Sequence, residues 1–297
     1  MIAQSGSNEV ELLEFTVGSN SYGINISKVS EIMQDCDVTP VPNSPEEVEG
    51  VFIPRDALIT VIDLHKVLHC ERRAGKSIFI VCRFNNMNIA FRVSGVQGFQ
   101  RIQWSAISEP PPVAGAEGKG LSTGVAKIED RIIMILDLEK IMSDISGGED
   151  LDTKNMSGLR EPDEEYSDKN IIIIDDSPFL NMKLEETARS FGFKNVISFK
   201  NGAEAWDYIQ QRKNLSEDIN KEIGCIISDI EMPVMDGLVF TKNIKSDPVL
   251  KKLPVILFSS LIDDRMSEKC IEVGADAQYS KPHMKGLMDA MLNLIKR

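Results

Sequence analysis

The stretch CIISDIEMPVMDG at residues 225–237 decides how the C-terminal half of this chain is read. A short apolar run ends abruptly in Asp229, and the chain then breaks at Pro233 and Gly237. Such a run bounded by breakers is a buried strand, and this one delivers a carboxylate to its C-terminal tip. Three further runs share the design. Residues 171–174 are four isoleucines followed by Asp175 and Asp176, residues 253–258 end at Ser259 and Ser260, and residues 275–280 end at Lys281 and Pro282. Four strand ends therefore carry three acids, a hydroxyl and a lysine.

Working outward, the pattern alternates. Strands are expected at 170–174, 195–199, 225–228, 254–258 and 275–280, and helices at 178–190, 203–212, 237–246, 263–273 and 284–295. Near-continuous apolar strands separated by helices imply a parallel sheet covered on both faces. Right-handed crossovers put every strand C-terminus on one edge, where such sheets bind ligands. Asp175, Asp176, Asp229, Ser259 and Lys281 are thereby expected to gather. Three like charges need a cation beside them, and a small all-oxygen ligand set suits Mg²⁺. A lysine and a hydroxyl aimed at the same spot would hold the oxygens of a phosphoryl group. A single strand-end acid commonly does no more than cap the next helix, so the joint pattern is what points to phosphoryl transfer onto a carboxylate.

The N-terminal half has a different grammar. Apolar alternations at 10–17 and 21–26 flank a Gly-Ser-Asn turn and predict a hairpin. Residues 27–33 open with Ser27 and space Val29, Ile32 and Met33 as a short helix would. Strands are expected at 58–64, 77–84, 88–93 and 98–102, with Asn85 and Asn86 as a turn and a helical turn at 104–108. An internal repeat follows: DALITVIDLHKVL at 56–68 matches DRIIMILDLEKIM at 130–142 in apolar character, with Asp-Leu and Lys coincident. Two copies suggest two similar small sheets, read as a pair of small β-barrels sharing a core, each closed by a strand and a short helix. Asp63 and Asp137 are expected to cap those helices.

The domain boundaries follow from composition. Residues 1–9 are polar and read as a flexible terminus, 10–147 as the β domain, 148–169 as an acidic linker too poor in apolar residues to bury a core, and 170–297 as the α/β domain. The chain of 297 residues has a formal net charge of -13, which argues against nucleic-acid or anionic-membrane surfaces. No apolar run approaches the ~20 residues that span a bilayer, and the N-terminus lacks a secretory pattern. The reading is a soluble, cytoplasmic protein without direct membrane insertion. The five cysteines form no C-x-x-C pair and are expected to be free thiols. His65, His69 and Cys70 are read as a polar helix face rather than a metal site.

Residues 170–297 resemble the CheY-like receiver domain of two-component response regulators, a flavodoxin-like (βα)5 fold. The resemblance implies that Asp229 is the phosphoacceptor. It implies that Asp175, Asp176, Asp229 and the backbone carbonyl of Glu231 hold Mg²⁺, that Ser259 and Lys281 stabilise the phosphoryl group, and that a cis bond precedes Pro282. The family's switch aromatic would stand where this chain has Gln278, with Tyr279 adjacent on the opposite face. EGVFIPRDALITVIDL at 49–64 resembles the core of CheW-like adaptor domains, which are double β-barrels. That resemblance gives Arg55 to a receptor or kinase interface, although Asp56 and Thr60 replace the family's usual Gly and Pro. The domain order is similar to that of CheV-type chemotaxis coupling proteins. It implies a scaffold between methyl-accepting chemoreceptors and the histidine kinase CheA, recruited to membrane-associated receptor arrays and tuned by phosphorylation. A phosphate sink and a stand-alone phosphorelay regulator stay open. A haloacid-dehalogenase-like phosphatase needs a second acid two residues after its nucleophile, where Ser177 follows Asp175 and Asp176. Apart from the receiver acting on its own phosphoryl group, no enzyme activity is expected.

Overall fold

The computed structural model describes residues 9–54, 57–72, 75, 77–84, 87–108, 120–128, 131–146, 162–260, 262, 264–281 and 283–296. Its chain forms two compact units, Asn8–Gly148 and Glu149–Arg297.

The N-terminal unit opens with the predicted hairpin, β1 (Glu9–Val17) and β2 (Asn20–Asn25), turning at Gly18, whose φ of 62° suits a residue without a Cβ. There follow β3 (Val29–Gln34), β4 (Val48–Phe52), β5 (Ile59–Asp63), α1 (Leu64–Val67), β6 (Ile78–Phe84), β7 (Met87–Val93) and β8 (Gly95–Gln103). The unit ends with β9 (Ile107–Ser108), β10 (Ser122–Ile128), β11 (Arg131–Leu136) and α2 (Leu138–Ile145). Two sheets result, ordered β8-β1-β2-β11-β10-β9 and β3-β6-β7-β5-β4. The two repeats fall one in each sheet. Each repeat strand pairs antiparallel with the strand before it, β4 with β5 and β10 with β11, and parallel with another, β7 or β2. One apolar cluster draws on both sheets and on α2, with Leu13, Phe15, Ile62, Phe91, Leu136 and Ile141 fully or nearly fully buried. Asp63 caps α1 by accepting from His65 N–H, and Asp137 caps α2 by accepting from Lys140 N–H.

One expectation fails here. Residues 27–33 are not a helix: after a 3-10 turn at Ile26–Lys28 the chain becomes strand β3, paired antiparallel with β6. Val29, Ile32 and Met33 fit a helical spacing, but pairing with β6 satisfies the backbone, and Met33 packs on the cluster of Phe52, Phe79 and Val81. Tertiary pairing overrides a weak local pattern.

The C-terminal unit contains α3 (Glu164–Ser167), β12 (Asn170–Ile174), α4 (Pro178–Ser190), β13 (Asn195–Phe199), α5 (Gly202–Leu215) and α6 (Ile219–Glu222). It continues through β14 (Ile223–Ser228), α7 (Gly237–Ser246), β15 (Val255–Ser259), α8 (Asp264–Glu272), β16 (Ala277–Ser280) and α9 (Met284–Ile295). All five strands are parallel, in the order β13-β12-β14-β15-β16. The four isoleucines of β12 show why the strand is apolar throughout. Ile171 and Ile173 face the cluster under α4 and α9, whereas Ile172 and Ile174 face the one under α5 and α7.

The stretch read by composition as linker ends earlier than 169. Residues 164–167 form the helical turn α3, Ser167 is buried, and Tyr166 packs against the core cluster that also holds Leu294 and Ile295. An acidic run hid one aromatic and one small residue with a place to go. The Asn85–Asn86 turn and the bond before Pro282 lie outside the described residues.

Candidate functional site

β14 ends at Ser228, and the next residue, Asp229, is held by its N–H donating to the Ile174 carbonyl at 2.8 Å. Asp175, one residue past β12, donates in turn to the Phe199 carbonyl at 3.1 Å. Parallel neighbours thus bring two acids side by side, and Asp176 completes the group. One carboxylate oxygen from each of Asp175, Asp176 and Asp229 lies within 4.8 Å of the others. Asp175 and Asp229 are buried, whereas Asp176 is half-buried.

Lys281, also buried, crosses to this group from the end of β16. Its ammonium donates to Asp175 Oδ2 at 2.8 Å and lies 3.4 Å from Asp229 Oδ1. Asp229 Oδ1 is inaccessible to solvent and accepts no hydrogen bond, so the ion pair is its sole support among the described contacts. A buried carboxylate oxygen without a hydrogen-bond donor and with one ammonium at 3.4 Å is only partly compensated, and a second cation would complete its neutralisation. Together with the all-oxygen donor set, it fits a hard divalent ion such as Mg²⁺.

Ser259 closes β15, buried, and its carbonyl accepts from Lys281 N–H at 3.1 Å. Glu231 lies two residues beyond Asp229 and is half-buried. The sheet edge therefore collects Asp175, Asp176, Asp229, Ser259 and Lys281. Tyr279 does not join them: its ring packs on Gly286 of α9, where a Cβ would come within 2.9 Å of Cε1. Gln278 points instead to α8, donating from its side-chain amide to Ser267 Oγ. Arg55 lies outside the described residues.

Two contributors escaped the sequence reading. Ser177 is fully buried, caps α4 by accepting from Leu180 N–H at 3.2 Å, and donates its own N–H to Asp175 Oδ1 at 2.9 Å. Asn181 donates to the carbonyls of Asp175 at 2.7 Å and Phe199 at 3.2 Å, fastening the ends of β12 and β13. A signal did exist, since Asn181 sits one turn after the cap Ser177, between the apolar Leu180 and Met182.

The turn after Asp229 carries strain. Val234 has φ 67°, a left-handed conformation that a β-branched residue adopts at a cost of about 2 kcal/mol. Glycine removes that strain but loses about 1 kcal/mol of backbone entropy. Val234→Gly is accordingly expected to stabilise the unit by about 1 kcal/mol, a rise in Tm of about 4 °C, read by calorimetry.

The His65, His69 and Cys70 group is no metal site. His65 is buried with Nδ1 2.8 Å from Asp63 Oδ1 and Nε2 2.8 Å from Ser94 Oγ, so both ring nitrogens are engaged within the fold. All five cysteines are free. Burial pushes the Cys225 thiol up and the Cys270 thiol up to about 11, which leaves both inert as nucleophiles. No helix among the described residues is long and apolar enough to cross a membrane.

Residues 11–146 match the CheW-like domain, and residues 171–293 match the response regulator receiver domain. Over 289 residues the chain is 30% identical to chemotaxis protein CheV3 of Helicobacter pylori, covering 92% of this chain and 91% of that one. The chain belongs to the CheV family of chemotaxis proteins. Another member, CheV2 of the same organism, is 29% identical over 296 residues, 93% of this chain and 92% of its own. Among solved structures, the scaffolding protein TtCheW from Thermoanaerobacter tengcongensis is 28% identical, with a TM-score of 0.40 over 43% of this chain and 88% of its own. This CheV-family chain thus joins a CheW-like domain to a receiver domain, and its acidic cluster is of the kind that serves receivers as a Mg²⁺ site.

Proposed function

We propose that this chain is a chemotaxis coupling scaffold whose CheW-like domain engages chemoreceptors and the histidine kinase CheA, and whose receiver tunes that engagement through phosphorylation of Asp229. The observation that carries the reading is the buried Asp229 oxygen that accepts no hydrogen bond and is met by the Lys281 ammonium at 3.4 Å, beside two more carboxylates, on a chain whose other half is CheW-like.

In the step envisaged, a carboxylate oxygen of Asp229 attacks the phosphorus of the kinase's phosphohistidine. A P–O bond forms, the P–N bond breaks, and the electron pair returns to the imidazole nitrogen. Asp175, Asp176 and Asp229, with the Glu231 carbonyl, would hold Mg²⁺, which supplies positive charge to the carboxylates and the phosphoryl oxygens. Lys281 neutralises one phosphoryl oxygen, and the Ser259 hydroxyl donates to another. The acidic group at rest and the phosphoryl group after transfer share one cationic partner, so modification redistributes the lysine's contacts.

For the output, exposed apolar residues on either side of position 55 in the sequence support a docking surface. Phe52 pairs with Ile59, and Ile59 pairs with Asn88, so the neighbouring Ile53, Leu58 and Met87 stand side by side at the ends of β4, β5 and β7. They are 64%, 60% and 53% exposed, an apolar patch of the kind that partners cover.

Receptor, kinase and this chain can be reconstituted and kinase activity measured. Arg55→Ala is expected to weaken coupling with or without phosphorylation. Asp229→Ala is expected to keep coupling and lose its dependence on phosphorylation. A kinase activity indifferent to both substitutions contradicts the proposal.

A further inference from the structure

We propose that residues 162–169, at the entrance to the receiver, are a docked anchor that loosens when Asp229 is phosphorylated. The proposal rests on the phosphoacceptor role proposed for Asp229.

The anchor is built from specific contacts. Tyr166 N–H donates to the Asp163 carbonyl at 2.8 Å and Lys169 N–H to the Tyr166 carbonyl at 3.2 Å, which shapes the turn. Lys194 N–H donates to the Ser167 carbonyl at 3.0 Å, and Asn195 Nδ2 to the Asp168 carbonyl at 2.8 Å, which ties the turn to the start of β13. Tyr166 lies against the core that α9 shares with β12, and Lys296, just past α9, pairs with Asp163 at 3.3 Å. The ion pairs of Lys296 with Asp163 and Lys194 with Asp168 join exposed groups and contribute little. The hold therefore lies in Tyr166 and the backbone bonds. A segment with one half-buried aromatic against the core and few backbone bonds belongs to the least stable part of a domain.

Its position against α9 links it to the acidic cluster. Lys281, which bonds Asp175 and lies 3.4 Å from Asp229, is followed within three residues by the first turn of α9. A phosphoryl group on Asp229 adds charge and strong acceptors at the lysine's tip and draws it from Asp175. That pull acts on the start of a 12-residue helix, a rod of roughly 18 Å. The buried face of α9, from Met284 and Leu287 to Leu294 and Ile295, is one packed surface, so a shift at its first turn is felt at its last. Tyr166 packs on the core cluster to which that end belongs, and Asp163 pairs with Lys296 just past it, so the anchor is set to the resting position of the helix. Undocking would add residues 162–169 to the chain that runs between the two domains.

Hydrogen exchange on the full-length chain, read by mass spectrometry with and without Mg²⁺ and beryllofluoride as the phosphoryl stand-in, tests this. Beryllofluoride is expected to slow exchange at residues 229–237 and to speed it about tenfold at residues 163–169. Tyr166→Ala is expected to give fast exchange at 163–169 in both states, while Tyr166→Phe retains the response. Slowing at 229–237 with no change or slowing at 163–169 overturns the anchor and leaves the role of Asp229 standing. No change at either segment overturns both.

Discussion

Asp229→Asn is expected to unfold a few degrees above the unmodified chain in chelator and to lose the stabilisation that Mg²⁺ confers. Three carboxylate oxygens within 4.8 Å of one another repel, and Lys281 is the cation that reaches two of them. At an effective dielectric constant near 20, each such pair costs about 3.5 kcal/mol before compensation by the lysine. Replacing the Asp229 carboxylate removes two of the three repulsions. Without metal this outweighs the lost attraction to Lys281, which makes its shorter contact with Asp175. In millimolar Mg²⁺ the order reverses, because the unsubstituted chain gains binding free energy that the variant lacks. Thermal unfolding in chelator and in Mg²⁺ checks both halves. A variant less stable in chelator, or equally stabilised by Mg²⁺, contradicts the assignment of these acids to a metal site.

Gly237→Ala is expected to be the more damaging change, although it adds a single methyl group. A Cβ on Gly237 would lie 2.0 Å from the Asp229 carbonyl oxygen, 2.9 Å from its carbonyl carbon and 3.0 Å from Ser228 Oγ. The obstacle is backbone at the acidic cluster, so no rotamer relieves it. Gly237 also donates its N–H to the Ile230 carbonyl at 3.0 Å and begins α7, capped by Asp236, so it cannot retreat without cost. Overpacking of this kind costs about 3 kcal/mol or more. The expected result is a receiver transition lowered by about 10 °C, with the transition of the N-terminal unit unchanged. Mg²⁺ affinity should fall as well, because the displaced group is Asp229 itself. A fully stable Gly237→Ala with unaltered Mg²⁺ affinity would show that the turn is looser than this geometry.

The sequence made the receiver legible because its strands are buried on both faces. An uninterrupted run such as the isoleucines at 171–174 has no other use, and four of the five runs stop at a residue that carries chemistry, the exception being 195–199. The five site residues could be named because a parallel sheet sends strand ends to one edge, whatever the register. Less survived where the signal was local. Residues 27–33 had helical spacing, but an edge strand exposes enough of itself to carry almost any pattern. Tyr166 and Ser167 were hidden by the acids around them, since average composition does not register one aromatic with a core to enter. The place of Asn181 one turn after Ser177 was a signal, but its partners were not legible, because they are carbonyls at the ends of β12 and β13, six and eighteen residues away. In the N-terminal unit the repeat at 56–68 and 130–142 revealed two related sheets. The pairing of β11 with β2 and of β5 with β7 came only from the fold.

The most direct measurement is chemical. The full-length chain, incubated with Mg²⁺ and a small-molecule acyl phosphate, should gain the mass of one phosphoryl group. That adduct should map by peptide analysis to Asp229 within residues 225–237. It should be absent from Asp229→Asn and from the unmodified chain in chelator. A chain that takes up no phosphoryl group, or carries it on another residue such as Ser259, would contradict the account.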